Sequence, residues 1–336
     1  MRVRAMAAAS QGAELSPWSY DSDPLGPFDC TVQVQACGLC HSDLHMIDND
    51  WRISRYPLIP GHEVVGTVVE LGPHVAHLKT GDRVGVGWQR SACLQCRDCL
   101  RGNENLCVGS QGLISDGYGG FADIVMLDSR FCFRIPERIS TEAAGPLLCG
   151  GVTVYSALRA AGMGSGQEVG VIGFGGLGHL ALQFAAKLGN RVTVFTTSRD
   201  KAALAAGLGA QETLMMTEEG SAKTPSRPLD IIISTVPVNL DMNPYLNLLG
   251  SDGTLTLVGN PKAGPMLSIS LEALLFKRRR VTASPIGGRA AIQDTLEIAD
   301  RFGISPMVET FRLADANAAI KKVRENRIRF RAVLMT

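Results

Sequence analysis

Four cysteines are the first residues in this chain whose spacing implies chemistry. Cys93, Cys96 and Cys99 recur at every third position, and Cys107 follows after seven intervening residues. Four thiolates so placed can close a tetrahedral shell around one zinc ion without help from regular secondary structure. A complete shell leaves no coordination position for a substrate, so this zinc would hold a loop in shape and perform no reaction. Nucleic-acid zinc ribbons use similar shells, and the loop alone therefore says little about function.

A reactive zinc needs three protein ligands and an open position. Cys40, His62 and Cys149 are the candidates. Each has an ordinary explanation when taken alone: Cys37 and Cys40 form a CxxC that could be redox-active, His62 could be a core histidine, and Cys149 a small buried apolar residue. Their settings argue for the metal: CGLCHSDLH over 37–45, PGHEVVG over 60–66 and PLLCGG over 146–151. Two thiolates and one neutral imidazole balance the charge of the ion, and the open position attracts an oxygen lone pair. Zinc in such a site lowers the pKa of a bound hydroxyl to about 7, so that the oxygen can lose its proton near neutral pH. Ser42 and His45, three residues apart, fall on one face of a helical turn and can pass the released proton outward.

GFGGLGH over 173–179 supplies the partner for that chemistry. Gly173, Gly175 and Gly178 form G-x-G-x-x-G, with Gly176 and Leu177 inside the same turn, between a predicted strand EVGVI at 168–172 and a predicted helix. Such glycines permit a tight turn and let a pyrophosphate approach the helix N-terminus, where free N–H groups favour anions. An NAD-binding chain usually carries an acidic residue about 20 positions beyond the first glycine. Thr196 stands there instead, followed by Thr197, Ser198, Arg199, Asp200 and Lys201. Hydroxyls and cations suit a 2'-phosphate, and two charge-assisted hydrogen bonds would favour NADP(H) by roughly a hundredfold or more. The competing reading is that Ser198 only caps the next helix and Lys201 is solvated.

The elements that must position these groups follow from texture. The first part has short β-branched runs at 31–36, 63–72 and 82–88, punctuated by glycine and proline, which predicts a β-rich, barrel-like domain. From about residue 146, strands alternate with helical stretches, as parallel βαβ units do. Leu177, Leu180, Ala181, Phe184, Ala185 and Leu188 recur at helical spacing, and strands follow at 191–195, 229–233 and 253–259. After about 280 come a short strand, two helical stretches and a last strand, RFRAVLM. The expectation is an α/β chain: a β-rich domain over 1–145, completed by 281–336, and a doubly wound parallel-sheet nucleotide domain over 146–280.

Bulk properties exclude several classes. The chain has 336 residues, 45% of them hydrophobic, enough for two cores. Its 33 basic and 32 acidic side chains give a net charge of +1, without the positive field a nucleic acid requires. No run approaches the roughly 20 apolar residues of a membrane helix, and MRVRAMAAAS is too short and interrupted for a signal core. A cytoplasmic protein with no nucleic-acid or membrane partner is expected. Clustering of four of the nine cysteines favours metal over disulfides.

These motifs, with NDW, YPLIPGHEVVG, GDRVGVGW, PLLCGGVTVYSAL, TSRDK, STVPV, LVGNP, SPIGG and RFRAV, occur in an order that resembles the zinc-dependent medium-chain dehydrogenase/reductase superfamily, most closely its cinnamyl alcohol dehydrogenase-like branch. The resemblance covers nearly the whole chain. It implies a GroES-like catalytic domain formed by both chain ends, a Rossmann domain between them, two zinc ions per subunit and a homodimer. It also implies that Cys40, His62 and Cys149 hold the catalytic zinc with Glu63 beside it, that Ser42 and His45 form a proton relay joined by Asp50, and that Thr153, Thr235, Gly259 and the Ser284–Pro285–Ile286 turn line the cofactor cleft. The implied substrate is a primary alcohol or aldehyde, aromatic or medium-chain aliphatic, with Trp51 and Pro285 as pocket walls. Rival readings are a polyol or secondary-alcohol dehydrogenase and a non-catalytic NADPH-binding sensor. Two features depart from the branch: the segment between Cys107 and GGFAD is short, and Ser234 stands where Asp is common, a change nothing in the sequence explains.

Overall fold

The computed structural model describes residues 1–216, 223–236, 240–261 and 266–336. The chain divides into two units, one comprising 1–149, 288–300 and 305–336 and the other 150–287 and 301–304.

The first unit is organised by one long strand, Asp29–Leu39, whose β-branched and small residues suit a pleated surface. Strand Glu63–Leu71 pairs with it antiparallel along one edge. Along the other edge Ile124–Asp128 pairs with residues 29–33 and the last strand, Arg331–Met335, with residues 36–39. Strands Arg83–Val86, Cys132–Arg134 and Val308–Arg312 complete the seven-stranded sheet. Gly66 is required at its centre, since a Cβ there would lie 2.1 Å from the Gln33 carbonyl oxygen. The core holds Phe121, Phe131, Met46, Ile47 and Leu127, all fully buried, and burying a side chain of this size contributes about 1.5–3 kcal/mol. A separate hairpin, Arg2–Ala8 with Leu15–Asp21, was not anticipated from the sequence. Its second strand exposes Trp18 and carries Pro17, so the period-2 signal is weak.

The second unit is a six-stranded parallel sheet in the order Glu212–Met215, Arg191–Thr196, Glu168–Ile172, Leu229–Ser234, Leu249–Leu257, Arg280–Ala283. The third, second, first, fourth, fifth and sixth strands thus lie side by side, the doubly wound order that places a dinucleotide at the switch point beyond the first strand. Near-continuous apolar strands such as Leu229–Ser234 reflect burial on both faces. The fifth strand begins at Leu249, earlier than the expected 253. Polar Ser251 and Asp252, the latter at φ 63°, hid its start, and a register shift between Leu229 and Ile231 accommodates the extra residues.

Helices lie at 289–302 and 316–324, close to the expected stretches. Among the described residues no helix is long and apolar enough to cross a membrane.

Candidate active site

Strand ends bring the first metal-binding group together. Cys40 follows strand Asp29–Leu39 and precedes helix His41–Ile47, His62 precedes strand Glu63–Leu71, and Cys149 sits in a wide turn over Leu147–Gly151 whose hydrogen bonds span five residues, a geometry frequent at functional sites. Ligand atoms of Cys40, His62, Glu63 and Cys149, all buried, lie within 4.8 Å of one another. The Cys40 and Cys149 sulfurs are 4.0 Å apart, and His62 Nε2 is 3.2 Å from Cys149 Sγ. Tetrahedral zinc with ligands at about 2.0–2.3 Å requires separations of roughly 3.3–3.8 Å, so small adjustments seat the ion.

A second layer holds these ligands. Asp43 Oδ1 lies 3.0 Å from His62 Nδ1 and accepts the Gly61 N–H at 2.8 Å, while Oδ2 accepts the Cys40 N–H at 2.8 Å. A carboxylate accepts only, so Nδ1 carries the proton and Nε2 keeps its lone pair for a metal. Glu63 contacts Arg331, which the last strand delivers to the same place because Gly38 pairs with both Glu63 and Val333. Gly38 also makes room: a Cβ there would lie 1.9 Å from Glu63 Oε2. That oxygen has no hydrogen-bond partner among the described residues, which suits a carboxylate turned toward a cation.

Electrostatics match a site built for a positive ion. The neighbouring Cys149 thiol holds Cys40 well below the usual thiol range, and the same interaction pushes Cys149 well above it. Burial opposes charge on His62, but the Asp43 carboxylate and its hydrogen bond outweigh that and raise its pKa well above the ordinary value. Burial lifts Glu63 to about 7, against the pull of Arg331. The site thus pairs one favoured thiolate, Cys40, with protons held on Cys149, His62 and Glu63 that a divalent ion would displace.

Cys93, Cys96, Cys99 and Cys107 form the second group, again within 4.8 Å of one another. Cys93 Sγ lies 3.4 Å from Cys107 Sγ and 3.9 Å from Cys99 Sγ. Backbone N–H groups of Gln95 and Cys96 hold the Cys93 thiol down at about 6, and burial pushes Cys99 up to about 12. A zinc ion would hold all four sulfurs as thiolates. All nine cysteines are free.

The relay candidates fall in two places. The Ser42 hydroxyl lies 3.8 Å from Cys40 Sγ, beside the metal ligands. His45 pairs with Asp50, Nδ1 to Oδ2 at 2.7 Å, and its ring stands 5.0 Å from that of Trp51. Trp51 meets Trp88, which stands edge-on to His62 at 5.2 Å.

In the other unit the glycine turn divides its labour. Gly173 has φ 85°, and a Cβ on Gly178 would lie 2.0 Å from the Gly173 carbonyl oxygen, so both are dictated by the fold. Gly175 has open space around its missing Cβ, which leaves its backbone approachable. Gly176 and Leu177 complete the turn into helix Gly178–Lys187. The Thr235 hydroxyl donates to the Ile172 and Gly173 carbonyls, tying the first and fourth strands at the switch point. Thr196 is buried at the end of the second strand, and its hydroxyl accepts the Ser198 N–H at 3.3 Å. Ser198 caps helix Arg199–Gly207, while Thr197, Arg199 and Lys201 are exposed. Thr153 is buried on helix Val152–Ala160, Gly259 N–H donates to the Ser234 carbonyl at 3.4 Å, and Ser284 Oγ donates to the Pro285 carbonyl beside Ile286.

Sequence reasoning missed Asp43, Arg331 and Trp88. Asp43, three residues after Cys40 where a helix opens, carries a capping signal that could have revealed it. Arg331 is a single cation heading the apolar run RAVLM, and an interior charge implies a partner. Trp88 left no periodic trace.

A doubly wound sheet with an open glycine turn, on the same chain as two clusters of metal-ligating side chains, marks a zinc-dependent dehydrogenase. Residues 26–137 match the alcohol dehydrogenase GroES-like domain family, and residues 176–325 match the zinc-binding dehydrogenase family. An aldehyde reductase from Synechocystis is 41% identical over 99% of this chain and 98% of its own length. Among solved structures, a cinnamyl alcohol dehydrogenase from Sorghum bicolor superposes with a TM-score of 0.92 at 35% identity, covering 100% of this chain and 98% of that one. One from Helicobacter pylori, complexed with NADP(H), also gives 0.92, at 30% identity and the same coverage. The chain belongs to the zinc-dependent medium-chain dehydrogenase/reductase superfamily, in its cinnamyl alcohol dehydrogenase-like branch, and is an alcohol/aldehyde oxidoreductase with a GroES-like and a Rossmann domain.

Proposed function

We propose that this enzyme reduces small aldehydes with NADPH and oxidises the matching primary alcohols with NADP. The buried meeting of Cys40, His62 and Cys149, with Glu63 alongside, carries the reading. When bound there, zinc supplies Lewis-acid polarisation of the substrate oxygen, and the nicotinamide supplies or accepts the hydride. Cys40, His62 and Cys149 hold the ion, and Asp43 fixes His62 in the tautomer that can ligate. Arg331 keeps the Glu63 carboxylate beside the ligands. Ser42 exchanges the proton at the substrate oxygen, and His45, oriented by Asp50, exchanges it with solvent. Cys93, Cys96, Cys99 and Cys107 hold a second zinc that shapes their loop.

NADP(H) is favoured over NAD(H) because Thr196 replaces the ribose-binding acid and Thr197, Ser198, Arg199 and Lys201 offer donors and cations to a 2'-phosphate. The Helicobacter relative's complex with NADP(H) supports the same choice. Gly173, Gly175, Gly176, Leu177 and Gly178 take the pyrophosphate, with Thr153, Thr235, Gly259, Ser284, Pro285 and Ile286 along the remaining cleft. Nine free cysteines suit a reducing compartment, so the enzyme is read as cytoplasmic, and family kinship supports a homodimer.

Metal analysis combined with an NADPH-consumption screen over aliphatic, cinnamyl and benzyl aldehydes tests the proposal. Two zinc ions per subunit and NADPH-dependent reduction of at least one class are expected. Binding of NADPH without turnover by zinc-replete protein would overturn it.

A further inference from the structure

One buried carboxylate in the four-cysteine loop takes no part in metal binding and none in the proposed reaction. Glu104 lies between Cys99 and Cys107 in sequence and is 3% exposed. Its Oε2 accepts the Arg289 N–H at 2.9 Å and its Oε1 lies 3.5 Å from Arg289 Nη1. Arg289 Nε donates to the Arg130 carbonyl at 2.8 Å, and the guanidinium stands over the Phe131 ring at 5.6 Å. Gly288 permits this approach, since a Cβ there would lie 2.1 Å from the Gly102 carbonyl oxygen and 2.7 Å from Glu104 Oε2. On the loop side the Cys107 N–H donates to the Glu104 carbonyl at 3.1 Å, so a metal ligand and Arg289 are joined through one residue.

The position of this contact gives it consequence. Residues 287 and 288 are where the chain passes from the second unit back into the first, and Arg289 opens helix Arg289–Phe302. A carboxylate there satisfies an otherwise orphaned helix N–H and complements the helix dipole. Ser284, Pro285 and Ile286, the turn assigned to the cofactor, end one residue before Gly287.

We infer that Glu104 and Arg289 form a latch through which the four-cysteine loop fixes the re-entry of the chain, making Glu104 a positioning residue for dinucleotide binding. A loop held by its own metal cannot shift without dragging the start of the helix, and with it the short segment leading to the cofactor turn. Loss of the carboxylate takes the acceptor from the Arg289 N–H and the ion-pair partner from its half-buried guanidinium, and frees that segment. The affinity arm of this inference rests on the proposed NADP(H) reading; the mobility arm does not.

The test compares wild type with Glu104→Ala and Glu104→Gln in full-length protein at matched zinc content. Backbone amide exchange over 284–292 is followed without cofactor, and NADPH binding by fluorescence titration without substrate. Glu104→Ala should exchange faster over 284–292 and bind NADPH roughly tenfold more weakly, within the range of typical intramolecular couplings. The KM for NADPH should rise while kcat stays within about twofold, a split that general destabilisation does not produce. Glu104→Gln keeps one acceptor and the shape, so it should show the same changes at smaller size, and it carries the test if the alanine variant does not fold. Wild-type exchange in both variants would overturn the latch, and faster exchange with unchanged NADPH affinity would overturn the positioning role. Wild-type protein that binds no NADPH would refute the functional reading instead, while the exchange comparison still decides the latch.

Discussion

Asp43 and His62 meet with neither side chain exposed, Oδ1 3.0 Å from Nδ1, and the same carboxylate gathers the Gly61 and Cys40 N–H groups. One acid therefore orients an imidazole and restrains the backbone of a thiol ligand. Asp43→Asn preserves the volume but replaces an acceptor-only group with one that also donates, and it removes the charge that supports a ligating histidine. Zinc affinity at this site should fall about 10- to 100-fold, the usual cost of losing such a partner, with the four-cysteine site unaffected. Competition with a chromophoric chelator measures it, and unchanged affinity would remove Asp43 from the metal support.

The nucleotide preference turns on Thr196. Its hydroxyl holds the Ser198 N–H at the end of the second strand, where Arg199 and Lys201 stand exposed nearby in the chain. Thr196→Asp places an acceptor for ribose hydroxyls and a charge that repels a 2'-phosphate. The ratio of kcat/KM for NADPH over NADH should drop by about a hundredfold, the size of two charge-assisted hydrogen bonds. An unchanged ratio would show that the phosphate sits elsewhere.

How much of this was legible beforehand depends on how local each signal is. The glycine turn and the helix after it lie in one contiguous stretch, so spacing alone located them. The same holds for the four cysteines. Cys40, His62 and Cys149 are far apart in sequence, and only their motif settings joined them. Arg331 reaches Glu63 through a strand pairing between residues 36–39 and 332–335, a relation that no local pattern encodes. The hairpin of the first 21 residues escaped notice because an edge strand with proline and exposed tryptophan lacks alternation. Trp88 has the same difficulty: its meaning lies in the two rings it touches, not in its neighbours along the chain.

The relay assignment gives a kinetic expectation. His45 and Asp50 form a pair at 2.7 Å, and Ser42 stands at the metal ligands. His45→Ala should lower turnover by about a hundredfold, the lower end of what a positioned proton carrier contributes, with little change in NADPH affinity. Free imidazole in the buffer should restore part of the rate by replacing the missing ring. A variant with wild-type turnover, insensitive to imidazole, would take His45 out of the proton path.

Alkaline stability should report the packing of the short segment that precedes GGFAD. Burial, and then Tyr118, Asp123 and Asp23 against the weaker pull of Arg90, raise the Tyr20 hydroxyl far above its ordinary value of 10. Its ring lies 4.2 Å from Tyr118, so the hairpin and this segment share one aromatic contact. For a group whose folded pKa is raised, stability is complete below the unfolded pKa and is lost as pH rises toward the folded one. Wild-type stability should therefore decline above about pH 10. Tyr20→Phe cannot ionise there and should show a shallower decline in urea unfolding between pH 9 and about 11, whereas parallel curves would mean that Tyr20 is hydrated.

The two cysteine clusters should separate when one ligand is removed from each. Cys149 closes a buried site whose ion serves the reaction, so Cys149→Ser should abolish activity and lower the zinc count from two to one per subunit while leaving thermal unfolding nearly unchanged. Cys93 belongs to a shell whose ion only shapes its loop. Cys93→Ser should also cost one zinc, yet here the loop loses its scaffold, because residues 93–107 contain only two single-turn 3-10 helices, Cys99–Arg101 and Glu104–Leu106, and no long helix or strand. The midpoint should then fall by several degrees, as about 1 kcal/mol shifts a domain of this size by roughly 2–4 °C. Activity at low temperature should persist in part, since none of the four sulfurs belongs to the buried cluster at Cys40, His62 and Cys149. If both substitutions instead removed activity and stability equally, the division into one reactive and one shaping metal would fail.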